Sequence, residues 1–195
     1  MLVLFMGIMS GSMGQETLMT SKEFQEDMNL KFKKDEDSPL KRGDREAFTS
    51  LEFFPVDTSY IITAQFVRTP GEIPFYMPTT TERLPEYVKY GELFFNLKGK
   101  DLKLNIYQNI ELILQKEYED YLFLPFTDLT NGVTTYGGGR YMDLRIPEGN
   151  VIEIDFNKAY NPYCAYNEKY SCPIPPSEND LYIEIEAGVK DYKKW

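Results

Sequence analysis

The hydrophobic positions near the start of the chain recur with a helical period. Thr20 and Glu23 match a capping box, a pair of side chains that begins many helices. Apolar residues then follow at every fourth position: Phe24, Met28 and Phe32. This spacing predicts an amphipathic helix from about Ser21 to Lys34, laid on the rest of the protein by one stripe. A further helical turn is expected between Asp44 and Leu51.

From Thr58 onward the hydrophobic period changes to two. Apolar and more polar residues alternate in six runs: Tyr60–Phe66, Gly91–Leu97, Leu102–Ile106, Met142–Ile146, Ile152–Phe156 and Leu181–Ile185. Such alternation is typical of half-buried antiparallel strands, and Lys98-Gly99 between two of the runs favours a tight hairpin turn. The expected fold is mainly β: a twisted antiparallel sheet forming a barrel- or sandwich-like domain with one N-terminal helix.

The first residues have the pattern of a secretion signal. Leu2–Met9 is an uninterrupted apolar run, and Ser12 and Gly14 stand at positions that need small residues for cleavage. We expect residues 1–14 to be removed and residues 15–195 to form a single exported domain, periplasmic or extracellular. The run lacks a preceding Lys or Arg, unlike the usual signal, and a buried N-terminal strand is the alternative. It is too short to span a bilayer, so no stable membrane anchor is expected.

Charge and composition narrow the classes of function. The 195 residues carry a formal net charge of -10, and no cluster of Lys and Arg interleaves with aromatic residues, so nucleic-acid binding is not expected. The sequence contains no histidine. This excludes Ser-His-Asp and Cys-His catalysis as well as metal sites with histidine ligands. Neither a metal nor another cofactor is expected.

Several segments have an unusual composition in common with one family. These segments are Arg45–Phe48, Phe53–Asp57, Tyr90–Phe94, Phe126–Gly132, Thr135–Leu144, Asp155–Tyr166, Ser171–Asn179 and Ala187–Gly188. Together they resemble the family named domain of unknown function 1684, over about residues 20–190. The resemblance supports the assignment of a domain, and it implies no reaction, ligand or catalytic residue.

A glycine-rich turn provides the first candidate ligand site. Backbone N–H groups beside a guanidinium can bind a carboxylate or a phosphate. The residues that offer this are Gly138, Gly139, Arg140 and Tyr141. The alternative is a tight turn into a strand whose period places Arg140 on the core face. A buried Arg needs an acidic partner, for which Asp155 and Glu178 are the candidates.

A segment rich in Asp, Asn and Tyr provides the second candidate. Tyrosine offers a flat apolar face with a hydroxyl, and Asn both donates and accepts, a mixture suited to small polar molecules. The candidate residues here and further along are Asp155, Asn157, Tyr160, Asn161, Tyr163, Glu178 and Asn179. The alternative is a long loop held by its own hydrogen bonds. As lone general bases the chain offers Asp143, Asp155 and Glu178.

Cys164 and Cys172 lie eight residues apart. In an exported protein they are candidates for a disulfide worth roughly 2–3 kcal/mol. Paired buried thiols and a reactive thiol are the alternatives. A reactive thiol would have no histidine to activate it.

Three classes of function remain open. The first is a non-catalytic exported protein that binds a small polar or anionic ligand between the Gly137–Tyr141 turn and the Asp155–Asn179 segment, with Arg140 at the anion. The second is a hydrolase-type enzyme that uses Asp155 or Glu178 as general base, with Arg140 stabilising a developing anion. The third is an envelope scaffold without a small-molecule site.

Overall fold

Eight strands form one curled sheet in the computed structural model, which describes residues 19–34, 36 and 38–192. The strands are β1 Ile61–Arg68, β2 Phe75–Tyr76, β3 Glu86–Leu97, β4 Lys100–Asn109, β5 Tyr121–Asp128, β6 Arg140–Arg145, β7 Val151–Asp155 and β8 Asp180–Leu181. Two α-helices precede them, α1 Ser21–Lys34 and α2 Arg42–Ala47. Short 3-10 helices occupy Thr58–Tyr60, Leu112–Leu114, Lys116–Tyr118, Phe156–Lys158, Tyr163–Ala165 and Ser177–Asn179.

The sheet curls until its two ends meet at one point. Its strand order is β6-β5-β4-β3-β1-β7, and all these neighbours are antiparallel. Beyond β7, Tyr160 exchanges two backbone hydrogen bonds with Tyr141 of β6, at 2.9 and 3.0 Å. The predicted twisted antiparallel fold with one main N-terminal helix is thus confirmed, in the form of a half-barrel.

The sheet has an apolar inner face, and part of its outer face is also apolar. In β3, Leu93, Phe95 and Leu97 are buried, whereas the intervening Phe94 and Asn96 are exposed. The inward residues of all six main strands join in one core inside the curl. A second cluster on the outer face is largely aromatic and consists of Met77, Tyr87, Tyr107, Phe123 and Tyr141. Tyr87, Phe123 and Tyr141 of this outer cluster also line the candidate site.

Helix α1 has the bounds that its hydrophobic period predicts, Ser21–Lys34. The capping box forms, since the Thr20 amide donates to Glu23 Oε2 at 2.8 Å and the Glu23 amide donates to Thr20 Oγ1 at 3.3 Å. The apolar stripe is buried in a cluster of Met28, Phe32, Leu40, Phe48, Leu51, Tyr166 and Val189. Ser21 Oγ donates to Asp155 Oδ2 at 2.7 Å, which holds the start of α1 beside the end of β7.

Strand β5 and helix α2 differ from what the sequence predicts. Strand β5 has no alternation to reveal it, because Leu122–Phe126 is buried on both faces of the sheet. The second helix spans Arg42–Ala47 instead of Asp44–Leu51, and the backbone is extended from Phe48 onward. Phe48 leaves the helix to pack under α1 in the buried cluster.

The last alternating run, Leu181–Ile185, keeps its burial pattern without being a strand throughout. Ile183 and Ile185 are buried, yet only Asp180–Leu181 pairs with the sheet, parallel to β5. The prediction of a strand over the whole run is therefore wrong, because Ile185 in its second half bonds to the side chains of Asp128 and Arg140 instead of to a neighbouring strand.

The predicted leader, residues 1–14, lies outside the described residues. Within the described part of the chain, no helix is both long enough and apolar enough to cross a membrane.

Candidate functional site

A cavity of about 410 Å³ opens between α1, the outer face of β5 and β6, and the segment that follows β7. Half of the residues in its wall are aromatic: Phe24, Phe32, Tyr87, Tyr121, Phe123, Tyr141, Tyr160, Tyr163 and Tyr170. A smaller number of polar or sulfur groups complete it, among them Asp27, Lys31, Asp143, Ser171 and Cys172. This volume, and an apolar wall with few polar groups, are features of small-molecule sites. We call it the tyrosine cavity.

The carboxylate of Asp143 lies in the wall of the tyrosine cavity and is held by two tyrosines. The hydroxyls of Tyr121 and Tyr160 both donate to the same oxygen, Oδ1, at 2.7 and 2.5 Å. Within the described part of the chain, no group donates a hydrogen bond to the second oxygen, Oδ2. Because Asp143 is open to solvent in the cavity, Oδ2 can accept a hydrogen bond from a ligand.

The surroundings of Asp143 oppose its ionisation and keep its two tyrosines neutral. Solvent in the cavity reaches Asp143, but the protein around it removes it from bulk water, and this desolvation raises the pKa of its carboxyl more than the two hydroxyls lower it. Burial and then the charge of Asp143 raise the pKa of Tyr121 and of Tyr160 well above the ordinary value. Both hydroxyls therefore remain donors at neutral pH.

The strand register explains why these side chains meet. β5 and β6 pair with Phe123 opposite Asp143, and Tyr121 lies two residues from Phe123 on the same face. Tyr160 comes from a different part of the chain. Its backbone bridge to Tyr141 brings it to the edge of β6, two residues from Asp143.

A second cavity, of about 420 Å³, occupies the gap between β6 and β7. Its charged wall residues are Asp143, Arg145, Glu153, Asp155 and Lys158. Phe24 of α1 and Asp143 of β6 border both cavities. The carboxylate thus lies where the two cavities adjoin.

Arg140 lies in the core and borders neither cavity. Its guanidinium is fully buried, and Nη2 donates to Asp128 Oδ2 at 2.7 Å and to a carbonyl of the C-terminal segment at 2.8 Å. The prediction that Asp155 or Glu178 pairs with Arg140 is therefore wrong. Arg140 stands opposite Phe126 in the β5–β6 ladder, which brings it close to Asp128 at the end of β5. An anion would have to open the core to reach this guanidinium, so the anion site expected here is not formed.

The glycines of the same turn have a structural role in the backbone. Gly139 has a φ of 88°, and a Cβ at that position would lie 2.7 Å from the carbonyl oxygen of Phe126. Gly138 is exposed, and neither glycine borders either cavity. The turn therefore agrees with the alternative interpretation, a tight turn that leads into strand β6.

Most of the other predicted polar residues fasten loops. Four of them are buried: Asp155, Asn157, Asn161 and Asn179. The Asn179 side chain, for example, accepts from the Asn105 amide at 2.8 Å and donates to the carbonyls of Asn105 and Pro125 at 2.8 and 2.6 Å. Glu178 is exposed and borders neither cavity. Asp155 borders only the second cavity.

Three predicted tyrosines do come together, since Tyr141, Tyr160 and Tyr163 all line the tyrosine cavity. The sequence did not single out Tyr121 or the wall residue Phe24, and it offered Asp143 only as an isolated carboxylate. The two aromatic residues Tyr121 and Phe123, two positions apart at the start of β5, are a signal for Tyr121. The continuous apolar run Leu122–Phe126 obscures their alternation.

Cys164 and Cys172 are free thiols that contact each other, and Cys172 borders the tyrosine cavity. The amide of Cys164 donates to Cys172 Sγ at 3.1 Å. The predicted disulfide is not formed in this structure. The arrangement agrees with one of the alternative predictions, a pair of thiols without a disulfide. Cys172 is buried and Cys164 is partly exposed.

Comparisons with known proteins place the fold without giving a function. The model of a family described as protein of unknown function (DUF1684) matches residues 46–190, a range that includes every strand and leaves α1 outside. A solution NMR structure of an uncharacterised protein of Haloarcula marismortui is 30% identical, with a TM-score of 0.68, and the match covers 87% of this chain and 91% of that one. None of the curated proteins matches the chain.

Proposed function

The chain belongs to the DUF1684 family of proteins of unknown function, and from the geometry of its cavity we propose that it binds a small molecule with a cationic head group and an apolar body. The tyrosine cavity would hold the ligand, and Asp143 would be its anchor. The observation that supports this most is the carboxylate itself: one oxygen is fixed by Tyr121 and Tyr160, while the other has no donor within the described part of the chain.

The fixed geometry of Asp143 favours binding over a purely structural role. Two hydroxyls on one oxygen hold the carboxylate in a single orientation, so a ligand need not order it. A carboxylate in a partly desolvated site is stabilised by an incoming cation, since the cation replaces the water that the site has lost. An ammonium group that donates to Oδ2 would satisfy both conditions.

The aromatic wall and the charge of the protein point to the same ligand class. The faces of Tyr and Phe rings attract cations within about 6 Å of the ring centroid, worth roughly 0.5–2 kcal/mol each. The chain carries a formal net charge of -10, which raises the local concentration of cations and lowers that of anions.

The structure also changes which ligand can be proposed. The sequence-based hypothesis of an anionic ligand, and the hydrolase alternative, both used Arg140, whose guanidinium is buried in the core. Glu178, one candidate base of that enzyme, is exposed and outside both cavities. A binding protein for a cationic ligand needs neither residue.

Export remains part of the proposal, supported by the apolar run Leu2–Met9 and the small residues before Gln15. Removal of residues 1–14 would leave Thr20, the first residue of the capping box, in place. N-terminal sequencing of the protein purified from its natural source tests this. A sequence that begins at Gln15 supports export, and one that retains Leu2–Met9 contradicts it.

A thermal-shift screen with three probes of the same size tests the ligand class. The probes are benzylammonium, benzyl alcohol and benzoate, which share one ring and differ in charge. A ligand at 100 times its Kd adds about 2.7 kcal/mol, which is roughly 5–10 °C for a chain of this length. We expect benzylammonium to raise the Tm, and the other two to leave it nearly unchanged.

The control for this screen is a pair of charge-matched variants. Asp143→Asn removes the proposed anchor, whereas Glu148→Gln removes one negative charge from an exposed loop position outside both cavities. The benzylammonium shift should disappear in Asp143→Asn and persist in Glu148→Gln. An equal shift in both variants, or a larger shift with benzoate, would overturn the proposal.

A further inference from the structure

We infer that Cys164 and Cys172 form a reversible dithiol–disulfide couple, in which Cys164 attacks and Cys172 resolves. The two thiols are in contact and unequal, because Cys164 is partly exposed whereas Cys172 has only 6% of its surface accessible. A small oxidant therefore meets Cys164 first. This inference depends only on the two sulfurs and their neighbours, and it is independent of the ligand proposed above.

Hydrogen bonds converge on the sulfur of Cys164. The Tyr136 hydroxyl and the Cys172 thiol can both donate to it. The Tyr136 oxygen lies 3.8 Å from Cys164 Sγ. Donors stabilise a thiolate more than a thiol, so this arrangement favours the reactive form of Cys164. These neutral donors stabilise the thiolate by hydrogen bonding alone, without a histidine to accept the proton.

The acidities of the two thiols also differ: Cys164 is the more acidic and Cys172 the less acidic. Hydrogen bonding from Cys172 lowers the pKa of Cys164 to about 6 against the opposing effect of burial. The same hydrogen bond, together with burial, raises the pKa of Cys172. The pair therefore favours a thiolate on Cys164 and a thiol on Cys172.

The backbone keeps Cys172 in place for the second step. Its amide donates to Thr80 Oγ1 at 3.1 Å, and its carbonyl accepts from the Thr80 amide at 2.9 Å. The Cys164 amide adds a bond to Cys172 Sγ at 3.1 Å. Because these bonds hold Cys172, the movement that closes the disulfide is assigned to Cys164.

The chemistry needs a low-molecular-weight disulfide, RSSR, as oxidant. The Cys164 thiolate attacks one sulfur of RSSR, which forms the mixed disulfide Cys164–S–SR and releases RS⁻. Cys172 then loses its proton to the solvent as its sulfur attacks Cys164 and releases a second RS⁻, which the proton neutralises. The two protein sulfurs lose two electrons in all, and RSSR is reduced to one thiol and one thiolate, which matches the thiolate charge that Cys164 carried at the start.

Trapping the mixed disulfide tests the order of the two cysteines. The full chain is reduced, mixed with glutathione disulfide, quenched with acid and measured by intact mass. We expect the wild type to lose two hydrogens and retain no glutathione, and Cys172→Ser to accumulate one bound glutathione. Cys164→Ser should react at least about tenfold more slowly than Cys172→Ser, because its remaining thiol is buried and less acidic. Circular dichroism melts of both variants verify that they are folded.

Site-resolved alkylation of the wild type tests the hydrogen-bond network. The rate at Cys164 should reach half its maximum well below pH 8.5, the pKa of an ordinary thiol. Tyr136→Phe should move this midpoint upward, which a structural role of Tyr136 would not do. Equal trapping rates in the two Ser variants, glutathione retained by the wild type, or a midpoint at or above pH 8.5 would each overturn the inference.

Discussion

At the scale of single residues, Arg140 and Asp128 supply the hydrogen bonds that a neighbouring strand would give to the last part of the chain. Arg140 donates to the carbonyls of Ile185 and Ala187, and Asp128 Oδ1 accepts from the Ile185 amide at 3.2 Å. The segment can thus stay extended and bury every second side chain without a strand beside it. The buried ion pair is therefore a requirement of the fold rather than a ligand site.

Replacing Arg140 by Met should lower the free energy of unfolding by about 3–5 kcal/mol, because the buried charge of Asp128 would lose its cationic partner and two buried carbonyls would lose their donor. Urea denaturation measures this. The control Arg145→Met breaks an exposed pair with Asp120 and should cost about 1 kcal/mol or less. Equal losses in the two variants would contradict the structural role of Arg140.

The period of the sequence places Arg140 on the core face correctly, but it cannot name its partner. The partner depends on which residue of β5 lies opposite Arg140, and β5 carries no alternation from which a register could be read. The buried Asn residues are a similar case. Asn179 in a loop has the same sequence signature whether it binds a ligand or, as here, the backbone of Asn105.

At the scale of elements, the parts with strong local signals are predictable. Helix α1 has both a capping box and a stripe, and its bounds agree with the prediction. The hairpin between β3 and β4 turns at Lys98 and Gly99, both with positive φ, as its turn residues indicate. α2 ends early because Phe48 is buried under α1, and the local sequence does not encode this long-range contact.

Thr20→Ala should lower the free energy of unfolding by about 1 kcal/mol, since it removes the side chain that accepts from the Glu23 amide. Chemical denaturation of this variant can be compared with Lys22→Ala, which removes only an exposed pair on the same helix and should cost less than about 0.5 kcal/mol. A loss in Lys22→Ala as large as that in Thr20→Ala would argue against the capping box.

At the scale of the whole molecule, the tyrosine cavity depends on contacts between distant parts of the chain. Phe24 comes from α1, Asp143 from β6, and Tyr160 from the crossing that closes the half-barrel. Segment composition suggested that Tyr160 and Tyr163 belong to a site. It could not suggest Phe24 or the role of Asp143, because only the curl of the sheet brings them to the same cavity.

The affinity for a permanent cation, benzyltrimethylammonium, should fall as the pH falls through the pKa of Asp143. Burial raises this pKa above the ordinary value of 3.8, so the affinity is present above the raised pKa and is lost at a higher pH than for an exposed carboxyl. The groups that interact with Asp143 are the hydroxyls of Tyr121 and Tyr160, whose own pKa values are raised, and the guanidinium of Arg145. Asp27 and Lys31 of α1 border the same cavity. Calorimetric titrations between pH 4 and 8 measure the profile.

A profile that is flat over this range would contradict the role of Asp143. The Glu148→Gln variant should reproduce the wild-type profile, and Asp143→Asn should bind weakly at every pH.

The most direct test of the account is to locate the probe on the protein by NMR with ring-labelled tyrosine. Benzylammonium should shift the ring resonances of Tyr121, Tyr141 and Tyr160, which line the cavity. The rings of Tyr76 and Tyr182, exposed at 65% and 77% and outside the cavity, should not move. Shifts confined to the cavity tyrosines are the predicted result. Shifts of the two exposed tyrosines alone, or none with saturating probe, would contradict the claim that this cavity is a binding site.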